Sequence, residues 1–219
     1  MGQGSQRKVA AVKDLNEFQS EVTRTFFSLP SSDGYVLAGG GALLASGLSD
    51  RLTDDLDFFG HRSTRNVAIV ARIFELAAFR KGWTTRPIRR HDEFVRMDVV
   101  GSATLTIDVC LDVAPTRSVN LTRHGPVFDG QELGGRKLLA LFGRAKARDF
   151  VDVFVLADRF GKGELLDRAK EIDPGVSAEP LCEAFGMLDR YDDADLPIDQ
   201  ALVPDLREFF RSWVAELTA

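Results

Sequence analysis

Arg51-Leu52-Thr53-Asp54-Asp55-Leu56-Asp57-Phe58-Phe59 is the stretch that decides the fold. On an extended strand, side chains at i and i+2 share a face, so Leu56 and Phe58 enter a core while Asp55 and Asp57 stand together on the other side. Two bare carboxylates there repel each other. Magnesium resolves the conflict, because it takes hard oxygen ligands and is usually held by one or two carboxylates together with substrate phosphates. Read alone, the pair is equally what a solvated acidic loop presents, or a pair salted by Arg51 and Arg62.

Upstream, Tyr35 to Ala38 reads as a short buried strand running into Gly39-Gly40-Gly41, after which a helix resumes over Ala42 to Ser46. Absent side chains let backbone N–H groups approach a phosphate, and the helix N-terminus adds positive potential. The dinucleotide-binding fingerprint is excluded, since Leu44 stands where its third glycine belongs. A glycine turn after a strand is as often a packing feature. Standing 14 residues ahead of the acidic pair, it gains specificity.

Around this nucleus the periodicities are plain. Leu15, Phe18, Val22 and Phe26 follow helical spacing with Asp14 as N-cap, while residues 1 to 8 are Gly/Gln-rich and expected to fray. A second helix carries Val67, Val70, Ala71, Phe74, Ala77 and Ala78 on one face, capped by Ser63 or Thr64 and ending near Gly82. Phe94 to Val100 and Thr104 to Leu111 read as strands joined by a hairpin at Gly101-Ser102. In the second of these, Leu105, Ile107, Val109 and Leu111 alternate against Thr106, Asp108 and Cys110. That makes Asp108 the candidate third carboxylate of a two-metal site, with Asp98 in reserve; the plain alternative is an Asp that faces water or pairs with Arg96.

From about Gln131 the patterns are helical to the end. Taken as one continuous helix at about 100° per residue, Lys137, Arg144, Arg148 and Asp152 fall near 0°, −20°, 20° and 60°, a cationic stripe suited to a triphosphate and ending in a carboxylate. Lys146 falls near 180°, facing away. Asp149 lands among Leu138, Phe142 and Leu156, where an acid needs a partner or marks a helix start. A solvated face laced by ordinary ion pairs remains open for this helix. Arg86, Arg89, Arg90 and His91 form a local basic run, able to track an RNA acceptor stem or to lie in a solvated loop.

The chain is 219 residues long with a formal charge of −5. An acidic balance argues against coating nucleic acid non-specifically, so any nucleic-acid contact is a local patch. Cys110 and Cys182 offer neither a disulfide framework nor a metal site, which points to a reducing cytoplasm. No apolar run reaches membrane-span length, and Met1-Gly2 fails as a myristoylation signal because position 6 is Gln6. The reading is an α/β lobe over 1–130 and a helical lobe over 131–219.

Three segments together resemble the AbiEii-like (abortive-infection type E) nucleotidyltransferase toxins, including the mycobacterial MenT toxins: Gly-Gly-x-Ala-Leu at 39–43, Arg-x-Thr-x-Asp-Leu-Asp-Phe-Phe at 51–59, and Lys-x-x-Ala-x-x-x-Arg-x-x-x-Arg-Asp-x-x-Asp at 137–152. The resemblance implies an α+β, DNA-polymerase-β-like nucleotidyltransferase lobe with a helical C-terminal lobe. It implies transfer of a nucleotide from an NTP, in several members to the 3′ end of tRNA, within a toxin–antitoxin system that includes a cognate antitoxin. By that resemblance Asp55 and Asp57 are metal ligands, Lys137 contacts the triphosphate and Asp152 is the second-lobe carboxylate; the candidate nucleotide-binding residues are Gly39, Gly40, Gly41, Arg51, Thr53, Lys137, Arg144 and Arg148. Gly41 departs from the family, which has Ser or Thr there, so backbone N–H groups or Thr53 must take over that phosphate contact. Asp108 or Asp152 is left as the base for the attacking hydroxyl. The rival readings are transfer to a small-molecule or protein hydroxyl, and an inactive nucleotide-binding or partner-binding module.

Overall fold

Alternation of apolar and polar residues builds the centre of the molecule. In the computed structural model, which describes residues 13–64 and 66–219, seven strands form one mixed sheet in the order β3-β4-β5-β2-β1-β7-β6. They are β1 (Val36–Ala38), β2 (Asp55–Gly60), β3 (Thr84–His91), β4 (Phe94–Val100), β5 (Thr104–Leu111), β6 (Asn120–Thr122) and β7 (Gly125–Val127). The helices are α1 (Glu17–Phe27), α2 (Gly39–Ala45), α3 (Val67–Arg80), α4 (Gly130–Arg144), α5 (Ala147–Phe160), α6 (Lys162–Ile172), α7 (Ala178–Gly186) and α8 (Val203–Thr218). The expected fraying of residues 1 to 8 and the Met1-Gly2 signal lie outside the described residues. Among the described residues no helix is long and apolar enough to cross a membrane.

The two faces of the sheet follow from register. Leu56 and Phe58 of β2, Val95, Met97 and Val99 of β4, and Leu105, Ile107 and Val109 of β5 are all buried on one face. Against them lie Val22 and Phe26 of α1 and Val70, Ala71 and Phe74 of α3, with Phe26 stacked on Phe58 at 3.9 Å between ring centroids. Each such ring contributes about 1.5–3 kcal/mol by leaving water. The opposite face is polar. β2 pairs in parallel with β5, setting Asp57 beside Asp108, and β5 pairs antiparallel with β4, setting Asp108 beside Arg96.

The C-terminal helices pack around aromatic residues, with Phe150 of α5 meeting Phe210 of α8 at 5.2 Å and Phe185 of α7 meeting Trp213 at 4.9 Å. α4 crosses α6 at Gly134 and Gly135, where a Cβ on Gly135 would come within 2.8 Å of the Ala169 backbone.

Several sequence expectations are corrected. The stretch 136–152 is not one helix: Ala145 adopts the left-handed conformation (φ 43°, ψ 47°) and separates α4 from α5. The N-cap of α1 is Asn16, whose side chain accepts from Gln19 N–H while Gln19 reaches back to Asn16 N–H. Asp14 instead pairs with Arg123 and His124. Asn66, and neither Ser63 nor Thr64, caps α3. The basic run at 86–91 is neither a loop nor free of the sheet; it is most of the edge strand β3.

Candidate active site

β1 ends at Ala38, and the chain turns through Gly39 into α2 directly opposite Asp57, the register partner of Ala38. Gly39 has φ +60°, and a Cβ there would stand 1.8 Å from Asp57 Oδ2. Two independent reasons therefore demand glycine: the left-handed backbone and the carboxylate against it. At Gly40 a Cβ would meet Thr53 Oγ1 at 2.8 Å and Arg51 Nη2 at 3.2 Å. Gly41 is different, because a side chain there would strike Leu56 and Leu37 in the core. A hydroxyl at that position has no direct path to the cavity.

Gly39 and Gly40 form one wall of a cavity of about 320 Å³, also lined by Arg51, Thr53, Asp55, Asp57, Asp108, Lys137, Arg144 and Arg148. Asp55 accepts from Thr53 Oγ1 at 2.9 Å and faces Arg148 Nη1 at 3.5 Å. Among the described residues no hydrogen bond or ion pair holds the Asp57 carboxylate. Burial, then the neighbouring Asp55, pushes its carboxyl up to about 6. An unpaired carboxylate beside a second one, facing a glycine turn, matches the donor set of a hard divalent cation.

Asp108 is placed beside Asp57 by the β2–β5 register, but both of its oxygens accept from Arg96, at 2.7 and 2.6 Å. No group of three His, Cys, Asp or Glu side chains arranged to hold a metal occurs among the described residues. Asp55 and Asp57 are thus the carboxylate pair whose chemistry fits a cation, while Asp108 is engaged by a guanidinium.

The other wall comes from the helices. Asp152 on α5 is fully buried and accepts from Arg51 Nε at 2.8 Å, Arg51 Nη2 at 2.9 Å and Lys137 Nζ at 2.8 Å. Burial alone would raise its carboxyl, but Lys137 and Arg51 outweigh that and hold it below the ordinary carboxylate range. The break at Ala145 makes this possible: α5 folds back so that Lys137 of α4 reaches Asp152. Arg144 grips fully buried Asp149 through two bonds of 2.8 Å, and Asp149 also accepts from the Lys146 N–H at the start of α5. Lys146 itself is exposed and lines no part of the cavity.

No role was expected from the sequence for Arg136, which lines the cavity, or for its partner Glu132. Arg136 stacks on Phe128 at 3.8 Å and bonds Asp112 and Glu132. Glu132, fully buried, accepts the N–H groups of Thr116 and Arg117, so this pair ties α4 to the segment after β5. The signal available in the sequence was the i, i+4 spacing of Glu132 and Arg136.

A family model described as "Nucleotidyl transferase AbiEii toxin, Type IV TA system" matches residues 24–173, over half of the chain. Among solved structures, JHP933 from Helicobacter pylori is similar with a TM-score of 0.57 at 21% identity, covering 94% of this chain and 95% of that one. A second Helicobacter pylori chain, provisionally described as a nucleotidyltransferase, gives 0.57 at 22% identity over 93% and 98%. MenT4, a nucleotidyltransferase toxin from Mycobacterium tuberculosis H37Rv, gives 0.49 at 13% identity over 90% and 89%. No curated protein matches the chain in sequence.

Proposed function

The chain belongs to the AbiEii nucleotidyltransferase toxin family of type IV toxin–antitoxin systems, and from that premise we propose that it transfers a nucleotide from an NTP to the 3′ end of tRNA in the cytoplasm, with Mg²⁺ as cofactor. The observation that carries the reading is the unpaired Asp57 beside Asp55, facing Gly39 and Gly40 across a cavity whose far wall is cationic.

Asp55 and Asp57 would hold the divalent ion, which when bound supplies a positive centre for the α- and β-phosphates. Gly39 and Gly40 let Asp57, Thr53 and Arg51 close against the turn at the start of α2, where the phosphates would sit. Thr53 orients Asp55 through its hydroxyl. Lys137 and Arg148 offset charge on the leaving pyrophosphate, with Arg51 and Arg144 adding field from their ion pairs. Asp152 acts through Lys137 and Arg51 as a positioning residue; a carboxylate gripped by two cations and removed from water makes a poor base. The base role falls to Asp108, one strand from Asp57, because its partner Arg96 is partly exposed, whereas Asp152 is held by two largely buried cations. A cognate antitoxin is the partner that the family implies.

With magnesium and each α-labelled NTP in turn, purified protein should label a tRNA-sized band in total RNA, and Asp55→Ala should remove the label. Label appearing only in a small hydroxylated compound or in protein would overturn the tRNA acceptor and leave the reaction class standing.

A further inference from the structure

The sheet carries a row of side chains leading away from the catalytic carboxylates. Pairing across the strands sets Asp57, Asp108, Arg96 and Arg89 on one rung of the same polar face. With strands about 4.8 Å apart, Arg89 on the edge strand lies about 14 Å from Asp57. Arg89 reaches this face only because β3 bulges between Pro87 and Arg89; regular pairing would turn it towards the helices. Arg90 is turned to that opposite side, where it pairs with Glu75 of α3. The basic run is therefore split, with only part of it facing the site.

Next to this row stands Phe94, half-buried on the polar face, with the Arg89 and Arg96 guanidinium carbons 5.8 and 6.0 Å from its ring centroid. Those distances are at the outer limit of cation–π contact. Arg136 on Phe128, at 3.8 Å, shows what a fully stacked pair looks like in the same molecule. The ring of Phe94 thus has cations beside it and is not capped by them. An aromatic ring flanked by arginines is a platform on which an unpaired base stacks while guanidinium groups meet its phosphates. Asp98, two residues beyond Arg96 on β4, accepts from the Thr106 hydroxyl and repels phosphate from the far side of the row.

We propose that Phe94 and Arg89 form the seat of the acceptor's unpaired 3′ end, directing its terminal hydroxyl along the Arg96–Asp108 row towards Asp57. The inference rests on RNA being the acceptor. It adds that a short single-stranded end, and not a duplex stem, is what the enzyme grips, because a base within a duplex cannot stack on a protein ring.

The test compares a hairpin RNA bearing an unpaired 3′ extension with the same hairpin made blunt, each incubated with magnesium and α-labelled NTP. Wild-type protein labels the extended RNA far better than the blunt one. Phe94→Leu and Arg89→Ala each raise the KM for the extended RNA roughly tenfold while the KM for NTP stays unchanged. Phe94→Tyr, which keeps the ring, retains wild-type behaviour, and Arg90→Ala does not alter labelling. Blunt RNA labelled as well as extended RNA, or extended RNA labelled normally by Phe94→Leu and Arg89→Ala, overturns this inference alone. No label in either RNA with wild-type protein overturns the RNA acceptor, and this inference with it.

Discussion

Asp57 on β2 and Asp152 on α5 both lie within the field of Lys137, and burial pushes both carboxyls the same way, yet they end on opposite sides of the ordinary value. Asp57 has a second carboxylate for a neighbour and no cation in bonding distance. Asp152 has two cations and three short bonds. Withdrawal from water is common to the two, so it is the partner geometry that separates a ligand pair suited to a cation from a strut that holds the cleft together.

The strongest way to test that contrast is Asp152→Ala, which strands Arg51 and Lys137 in a buried site. It should lower stability by about 3–5 kcal/mol, read from denaturant midpoints, and abolish transfer as well. A variant as stable as the parent would break the contrast. Asp57→Asn should do the reverse: transfer falls by about 10²-fold or more, while the thermal midpoint of metal-free protein holds or rises, because a repelled carboxylate has been removed. A clear loss of stability there would show that Asp57 is a strut after all.

Proton linkage separates the two carboxylates by sign. Asp57, raised from 3.8 to about 6, contributes stability below the lower value that is lost as pH climbs through the upper one. Asp152, lowered, contributes stability at higher pH that is lost as pH falls below 3.8. Magnesium should therefore raise the thermal midpoint well above pH 6 and progressively less below it, as protons compete for Asp57. A magnesium effect independent of pH would count against Asp57 as a ligand. The smallest expected change is for Arg148→Ala: at 3.5 Å from Asp55, with a third of its side chain exposed, it should alter stability by less than about 1 kcal/mol. A few-fold rise in the KM for NTP is the accompanying expectation from kinetics.

The strand-borne half of the site was legible because period-two alternation fixes which residues share a face: Asp55, Asp57 and Asp108 follow from Leu56, Phe58, Ile107 and Val109. The helix-borne half was legible in composition and not in geometry. Gly143 lies two residues before the break, and an alanine in the left-handed region gives no warning in sequence. Asp149 did signal, since an acid among apolar residues implied a partner or a helix start, and it has both. β3 was hidden because both its faces are polar, so no alternation marks it. Its bulge, which decides that Arg89 and not Arg90 faces the site, is set by pairing with β4, information the run Arg89-Arg90 does not contain.

The Arg51–Asp152 pair joins positions 101 apart in the chain, and this separation has a bearing on how the protein is made. Translation delivers the glycine turn, Arg51, Asp55 and Asp57 long before α5 leaves the ribosome. Until then Arg51 and Lys137 have no carboxylate to order them, and the cationic wall does not exist. In this order of synthesis the ion pairs that hold the cationic wall together form only once α5 has been made.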